Sequence, residues 1–164
     1  MDADFIDQLI ADWQRELPDV DPEPMALVGR IILLGRALEQ RINERLKHHG
    51  LIYTDFDVLA TLRRSGAPYQ ATPTELRQSI LLTSGAMTAA LDRLERRRLL
   101  NRIPSPQDRR SMSAQLTKRG VKLAERLVAL RFEEAAEVIA LLPREQQSQS
   151  VRAMKLLLGR LQHE

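Results

Sequence analysis

The chain has 164 residues, of which 43% are hydrophobic and 29% charged, with a formal net charge of +3. This is the composition of one globular domain, with or without an appended arm, and it excludes a disordered or fibrous chain and one of two large domains. With no cysteine, disulfides, thiolate zinc sites and thiol redox sensing are excluded as well. His48, His49 and His163 have no ligand spacing, so neither metal nor cofactor is expected. No run reaches the roughly 18 to 20 apolar residues of a membrane span. The start at Asp2, Asp4 and Asp7 carries the wrong charge for a secretory leader. A cytoplasmic protein without membrane association is expected.

Residues 3–16 read as a short amphipathic helix, with Phe5, Ile6, Leu9, Ile10 and Trp13 at helical spacing. Pro18, Pro22 and Pro24, interleaved with acids, form a stiff connector. Residues 1–24 hold eight acids against Arg15 alone, a net of −7, which leaves +10 for the rest. From Met25 to about His48 a long helix is predicted on the stripe Leu27, Val28, Ile31, Ile32, Leu34, Leu38, Ile42 and Leu46, and Gly50 stops it.

Thr54 is placed as the N-cap of the next helix, which buries Phe56, Val58, Leu59 and Leu62 and sets Asp57 among them. Pro73 opens a short helix with Glu75, Leu76 and Ile80. Thr83 and Ser84 cap the following one, whose apolar face is Met87, Ala90, Leu91 and Leu94, ending near Leu99. Two helices joined by a few turn residues, the second cationic on its free face, form a helix-turn-helix. The runs 99–103 and 111–116 around a Pro-rich loop predict a β-hairpin, a wing. Thr117 caps another long helix, with Val121 to Leu142 as its stripe, which Pro143 ends. A last helix begins near Arg144 and carries Val151, Met154, Leu157, Leu158 and Leu161.

Residues 92–110 carry seven arginines against three acids, a net of +4. Arginine forks suit phosphate oxygens and base edges, which makes double-stranded DNA the leading partner. For Arg96, Arg97 and Arg98 a plainer reading also stands, solvation of a helix end. Ser84, Ala86, Met87 and Thr88 lie in the turn that meets base edges, and Thr83 either caps or touches a phosphate. Arg93 and Arg97 are also expected to contact DNA. At the wing, Asp108 braces Arg110 and leaves Arg109 for the minor groove. Which arginine inserts stays open, as does a purely bracing role for the pair. No nucleophile elbow, phosphate loop or acid pair with a base is present, so an enzyme is not expected.

One such unit contacts too little DNA for specificity, and the long helices carry more apolar surface than one small lobe can cover. A homodimer on a pseudo-palindrome with half-sites ~34 Å apart is expected. The class is mainly α. The organisation reads as an N-terminal helix and acidic connector (1–24), a helical dimerisation region (25–53 and 117–164) and a winged helix-turn-helix lobe (54–116).

The stretch Leu82-Thr83-Ser84-Gly85-Ala86-Met87-Thr88, then Leu91-Asp92-Arg93-Leu94-Glu95, Asp108-Arg109-Arg110-Ser111 and Leu116-Thr117-Lys118-Arg119-Gly120, resembles the MarR family of winged-helix transcription regulators. The order of elements resembles it over most of the chain. One departure is Arg98, where the family usually has a glycine; a different cap geometry is expected there, with one more cation beside the DNA.

The resemblance implies a ligand-responsive regulator, a repressor, released from DNA by a small aromatic anion such as urate or a phenolic compound. The added N-terminal helix and the Phe56-Asp57-Val58-Leu59 segment resemble the urate-responsive, PecS-like branch. There Trp13, Asp57 and Arg102 match three ligand positions, while Ala90 replaces a fourth, an arginine. Trp13 as a hydrophobic anchor and Asp57 as the partner of a nearby arginine are the competing readings. The alternative function is a protein-interaction scaffold without sequence-specific DNA binding, which a neutral wing would mark.

Overall fold

The computed structural model describes residues 3–80, 84–105 and 112–162. Its elements run α1 (Phe5–Glu16), α2 (Pro24–Lys47), α3 (Tyr53–Arg64), β1 (Gln70–Ala71), α4 (Pro73–Ser79), α5 (Ser84–Arg96), β2 (Leu100–Pro104), β3 (Met112–Leu116), α6 (Lys118–Ile139) and α7 (Arg144–Leu161). Residues 1–53 and 54–164 form two compact units. No helix among the described residues is long and apolar enough to cross a membrane.

In the first unit, Asp4 accepts the Ile6 and Asp7 N–H groups, and Asp7 accepts the Asp4 N–H in return, a reciprocal cap on α1. The same two carboxylates accept from Arg30 of α2, at 2.9 Å for Asp4 and 2.6 Å for Asp7. Ile6 lies directly over Gly29, where an added Cβ would sit 2.8 Å from Ile6 Cδ1. One apolar contact and one shared guanidinium thus seat α1 on α2. The helix α2 opens on Pro24 and is followed by Gly50 at φ +62°, the backbone region where a side chain is costly.

The second unit is the winged helix. Its sheet has the order β1-β3-β2, all antiparallel, with Leu100 opposite Leu116 and Pro104 opposite Met112. The strand β1 is absent from the sequence reading because two residues, Gln70 and Ala71, show no alternation. Thr72 and Glu75 cap α4 reciprocally, with Pro73 in its first turn. The core gathers Leu59 and Leu62 of α3, Leu76 of α4, Met87 and Leu94 of α5, Leu99 of the following turn, Leu100 of β2 and Leu127 of α6. Thr54 is not an N-cap: α3 begins one residue earlier, where the Tyr53 N–H donates to Asn43 Oδ1 at 2.7 Å. Thr54 Oγ1 instead accepts from Arg93.

The end of α5 fixes the lobe. Leu99 N–H donates to Leu94 O at 3.0 Å and Arg98 N–H to Glu95 O at 2.8 Å, the paired bonds of a Schellman turn. Arg98 occupies the left-handed position at φ +57°. The glycine-type turn is therefore kept with an arginine in it, a correction to the altered cap expected from the sequence. Thr117 then closes on this turn. Its N–H donates to Leu99 O at 3.0 Å, its hydroxyl donates to Arg98 O at 2.9 Å, and the same oxygen accepts from Gly120 N–H at 3.0 Å. At Gly120 a Cβ would lie 1.9 Å from Leu99 O, so only glycine lets α6 approach this closely.

Two opposite effects follow in chemical denaturation. Gly120→Ala is expected to lower stability by about 2 to 3 kcal/mol, because backbone and not a flexible side chain must move. Arg98→Gly is expected to raise it by roughly 1 kcal/mol by relieving the left-handed conformation. Equal stability of the two variants would contradict the described turn.

Candidate nucleic-acid interface

The helix α5 is built to present one face and bury the other. Met87, Ala90, Leu91 and Leu94 point into the core, while Gly85, Thr88, Ala89 and Asp92 are exposed and Ala86 is half-buried. The outward face of its first two turns is thus small and weakly polar, a surface that allows close approach to base edges. Met87, placed among the base readers from sequence, is 2% exposed, and its side chain is turned away from any such surface. The period of the apolar stripe contained this information, since Met87 falls in register with Ala90, Leu91 and Leu94.

Thr83, Asp108, Arg109 and Arg110 lie outside the described residues, as does the side chain of Ser84. The charge of the wing tip, which separates a regulator from a scaffold, lies there too.

The arginines divide by partner. Arg93 donates from Nε and Nη2 to Asp55 Oδ1, at 2.9 and 2.7 Å, and from Nη2 to Thr54 Oγ1 at 3.2 Å. Asp55 is buried, and the pair ties the middle of α5 to the first turn of α3. Arg93 is thereby committed to holding the helix in place. Arg97 sits just past the C-terminal end of α5, half-buried and already engaged within the chain. Arg102 on β2 pairs with Asp92 and lies 3.6 Å from Glu95, both on α5.

Arg102 also borders a recess of about 350 Å³ together with Pro73, Arg77, Thr88, Leu91 and Met112. Its walls come from α4, α5 and the root of the hairpin, and two arginines share its lining with apolar side chains. Arg77 has no sequence signal beyond its place in the last turn of α4. Only the closing of α4 and α5 on the hairpin brings it beside Arg102.

Asp57 on α3 is partly buried, and loss of hydration pushes its carboxyl above the ordinary value against the opposing fields of Arg64 and Arg131. Trp13, in the other unit, is 50% exposed on α1. Among the described residues no cluster of three His, Asp or Glu could hold a metal ion.

Removing the negative charge at Asp55 leaves Arg93 facing a buried neutral group. Asp55→Asn is expected to cost about 2 kcal/mol in denaturant melts, less than the loss for a fully buried pair because 33% of the Arg93 side chain meets water. For Asp57 the folded chain holds the proton more tightly than the unfolded one. Its contribution is therefore most favourable when protonated and declines as pH rises through the raised folded value. Asp57→Asn is expected to melt above the parent at pH 7, with the gap closing as pH falls below that value. A gap that stays constant with pH would contradict the assignment.

A model of the MarR family matches residues 49–111. The HTH-type transcriptional regulator PecS of Dickeya dadantii is 31% identical over 157 residues, 96% of this chain and 92% of its own. Sco3205, a MarR family transcriptional regulator from Streptomyces coelicolor solved in complex with DNA, is similar at a TM-score of 0.76 and 23% identity, over 87% of this chain and 90% of that one. The organohalide-sensing transcriptional regulator RdhR, in its 2,4-dichlorophenol-bound form, is similar in fold at a TM-score of 0.73 and 16% identity, over 88% and 84%. A relative this similar over nearly its whole length, together with the family model over residues 49–111, places the chain: it belongs to the MarR family.

Proposed function

We propose that the protein is a transcriptional repressor that reads a pseudo-palindromic operator as a homodimer and is released by a small aromatic anion. The observation that carries the DNA reading is the outward face of α5, open over Thr88 and Ala89 and backed by a closed core. Such a helix fits the major groove, its first turns at the base edges. Ser84, Ala86 and Thr88 are the proposed readers, Thr83 a cap or phosphate contact. Arg109 or Arg110 is proposed for the minor groove, braced by Asp108. Sco3205, solved with DNA, supports this reading through the shared fold.

Dimerisation is supported by apolar surface. No residue of α7 is buried, and Val151, Leu156, Leu158 and Leu161 are exposed on it, as is Phe132 on α6. A monomer rarely leaves so much apolar surface in water, and a second copy of the same helices is the self-complementary cover. The anion is placed in the recess beside Arg77 and Arg102, whose size suits a small aromatic ring. Of the three ligand positions implied by resemblance, this site uses Arg102.

A gel-shift titration on the DNA upstream of the protein's own gene tests the proposal. Binding is expected to prefer that sequence over random duplex and to weaken steeply with salt, with a slope set by the number of phosphates contacted. Thr88→Arg is expected to abolish the preference, and urate or salicylate to release the parent but not the Arg77→Gln, Arg102→Gln double variant. Binding that ignores sequence would overturn the operator reading. Release of both proteins alike would overturn the ligand site.

A further inference from the structure

Cations collect at the end of α5 opposite the reading end. Arg96 and Arg98 are exposed there, and Lys118, Arg119 and Lys122 are exposed on the first two turns of α6. The two groups meet through backbone contact, since Thr117 bonds to Arg98 O and Leu99 O and Gly120 is pressed against Leu99 O. Two carboxylates on the same helices have other partners: Glu95 faces Arg102, and Glu125 is held by Arg63 at 2.8 Å.

Local stability argues against these residues. Arg98 sits in a left-handed turn that glycine fills at lower cost. Lys118 and Arg119 occupy the first turn of α6, which contains no acid, although the helix dipole favours acids there. A helix end merely solvated by charge would break neither rule. Conformational strain kept for the sake of a side chain marks a site with a use.

The patch is remote from the operator. Ser84 to Arg96 spans about 18 Å of helix, and Leu100 to Pro104 about 13 Å of strand. The first leads away from the end of α5 that carries the proposed readers. Salt screens charge over about 8 Å at physiological strength, so the duplex being read gains little from this patch. Three of its five cations are arginine, whose fork matches phosphate oxygens.

We propose that the surface formed by Arg96, Arg98, Lys118, Arg119 and Lys122 binds the phosphate backbone of a second DNA duplex, so that one protein bridges two DNA segments. The proposal rests on the operator reading above and goes beyond it.

The test immobilises a promoter fragment on beads, adds the protein, and measures retention of a second, labelled duplex of unrelated sequence. The parent is expected to retain it. Arg98→Gly is expected to retain several-fold less despite melting higher, and the Arg98→Gly, Lys118→Gln, Arg119→Gln variant about tenfold less, as expected for lost phosphate contacts. Both are expected to keep promoter affinity within about twofold, because the patch lies beyond the screening length. A parent that holds the promoter but no second duplex, or variants that retain as much as the parent, would overturn the proposal. Uptake of labelled poly-glutamate without a second duplex would overturn it in favour of an acidic protein partner. A parent that fails to hold the promoter at all defeats the operator reading, and bridging with it.

Discussion

The lobe is organised by one carbonyl. Leu99 O, in the turn that leaves α5, receives the Thr117 N–H and sits where a side chain at Gly120 would be. Through it the end of α5, the start of β2 and the start of α6 become a single piece of backbone. The orientation of the outward face of α5 relative to the long helix α6 then depends on these close backbone contacts. A change in the separation of two such lobes would have to be a rigid movement, because the joint itself offers no slack.

Electrostatics repeats the same economy. Counting arginines along residues 92–110 suggests a uniform basic strip, but the side chains do different work. Arg93 is bound to a buried aspartate and locks α5 to α3. Arg102 bridges the hairpin to α5 through Asp92. The arginines at the end of α5 remain at the surface or close to it. The net charge of the strip is therefore a poor measure of what a polyanion would meet, and the distinction matters because a paired, desolvated cation contributes to position where an exposed one contributes to attraction.

Much of this was legible in the chain. Helical periodicity, Pro73 at the start of α4, the cap at Thr117, the stop at Gly50 and the order of elements depend on near neighbours, and the sequence displays near neighbours directly. The partner of Arg93 was not legible, because Asp55 lies 38 residues away and nothing in either segment specifies the other. The recess needed Arg77, Thr88, Arg102 and Met112 from four elements, so no spacing could announce it. Met87 and Arg98 failed differently. The buried register of Met87 was available from the stripe it belongs to, whereas for Arg98 the preference of a residue type was outweighed by the demand of the turn for its geometry.

In the proposed complex the first turns of α5 face DNA while its far end stands back from the operator. Since the chain has no cysteine, Ala89→Cys and Arg96→Cys can each carry a strand-cleaving iron chelate on an otherwise silent background, with labelled promoter duplex as the only DNA present. The account predicts strong, localised cleavage of both half-sites from position 89 and faint, diffuse cleavage from position 96. Stronger cleavage from position 96 than from position 89 would contradict it.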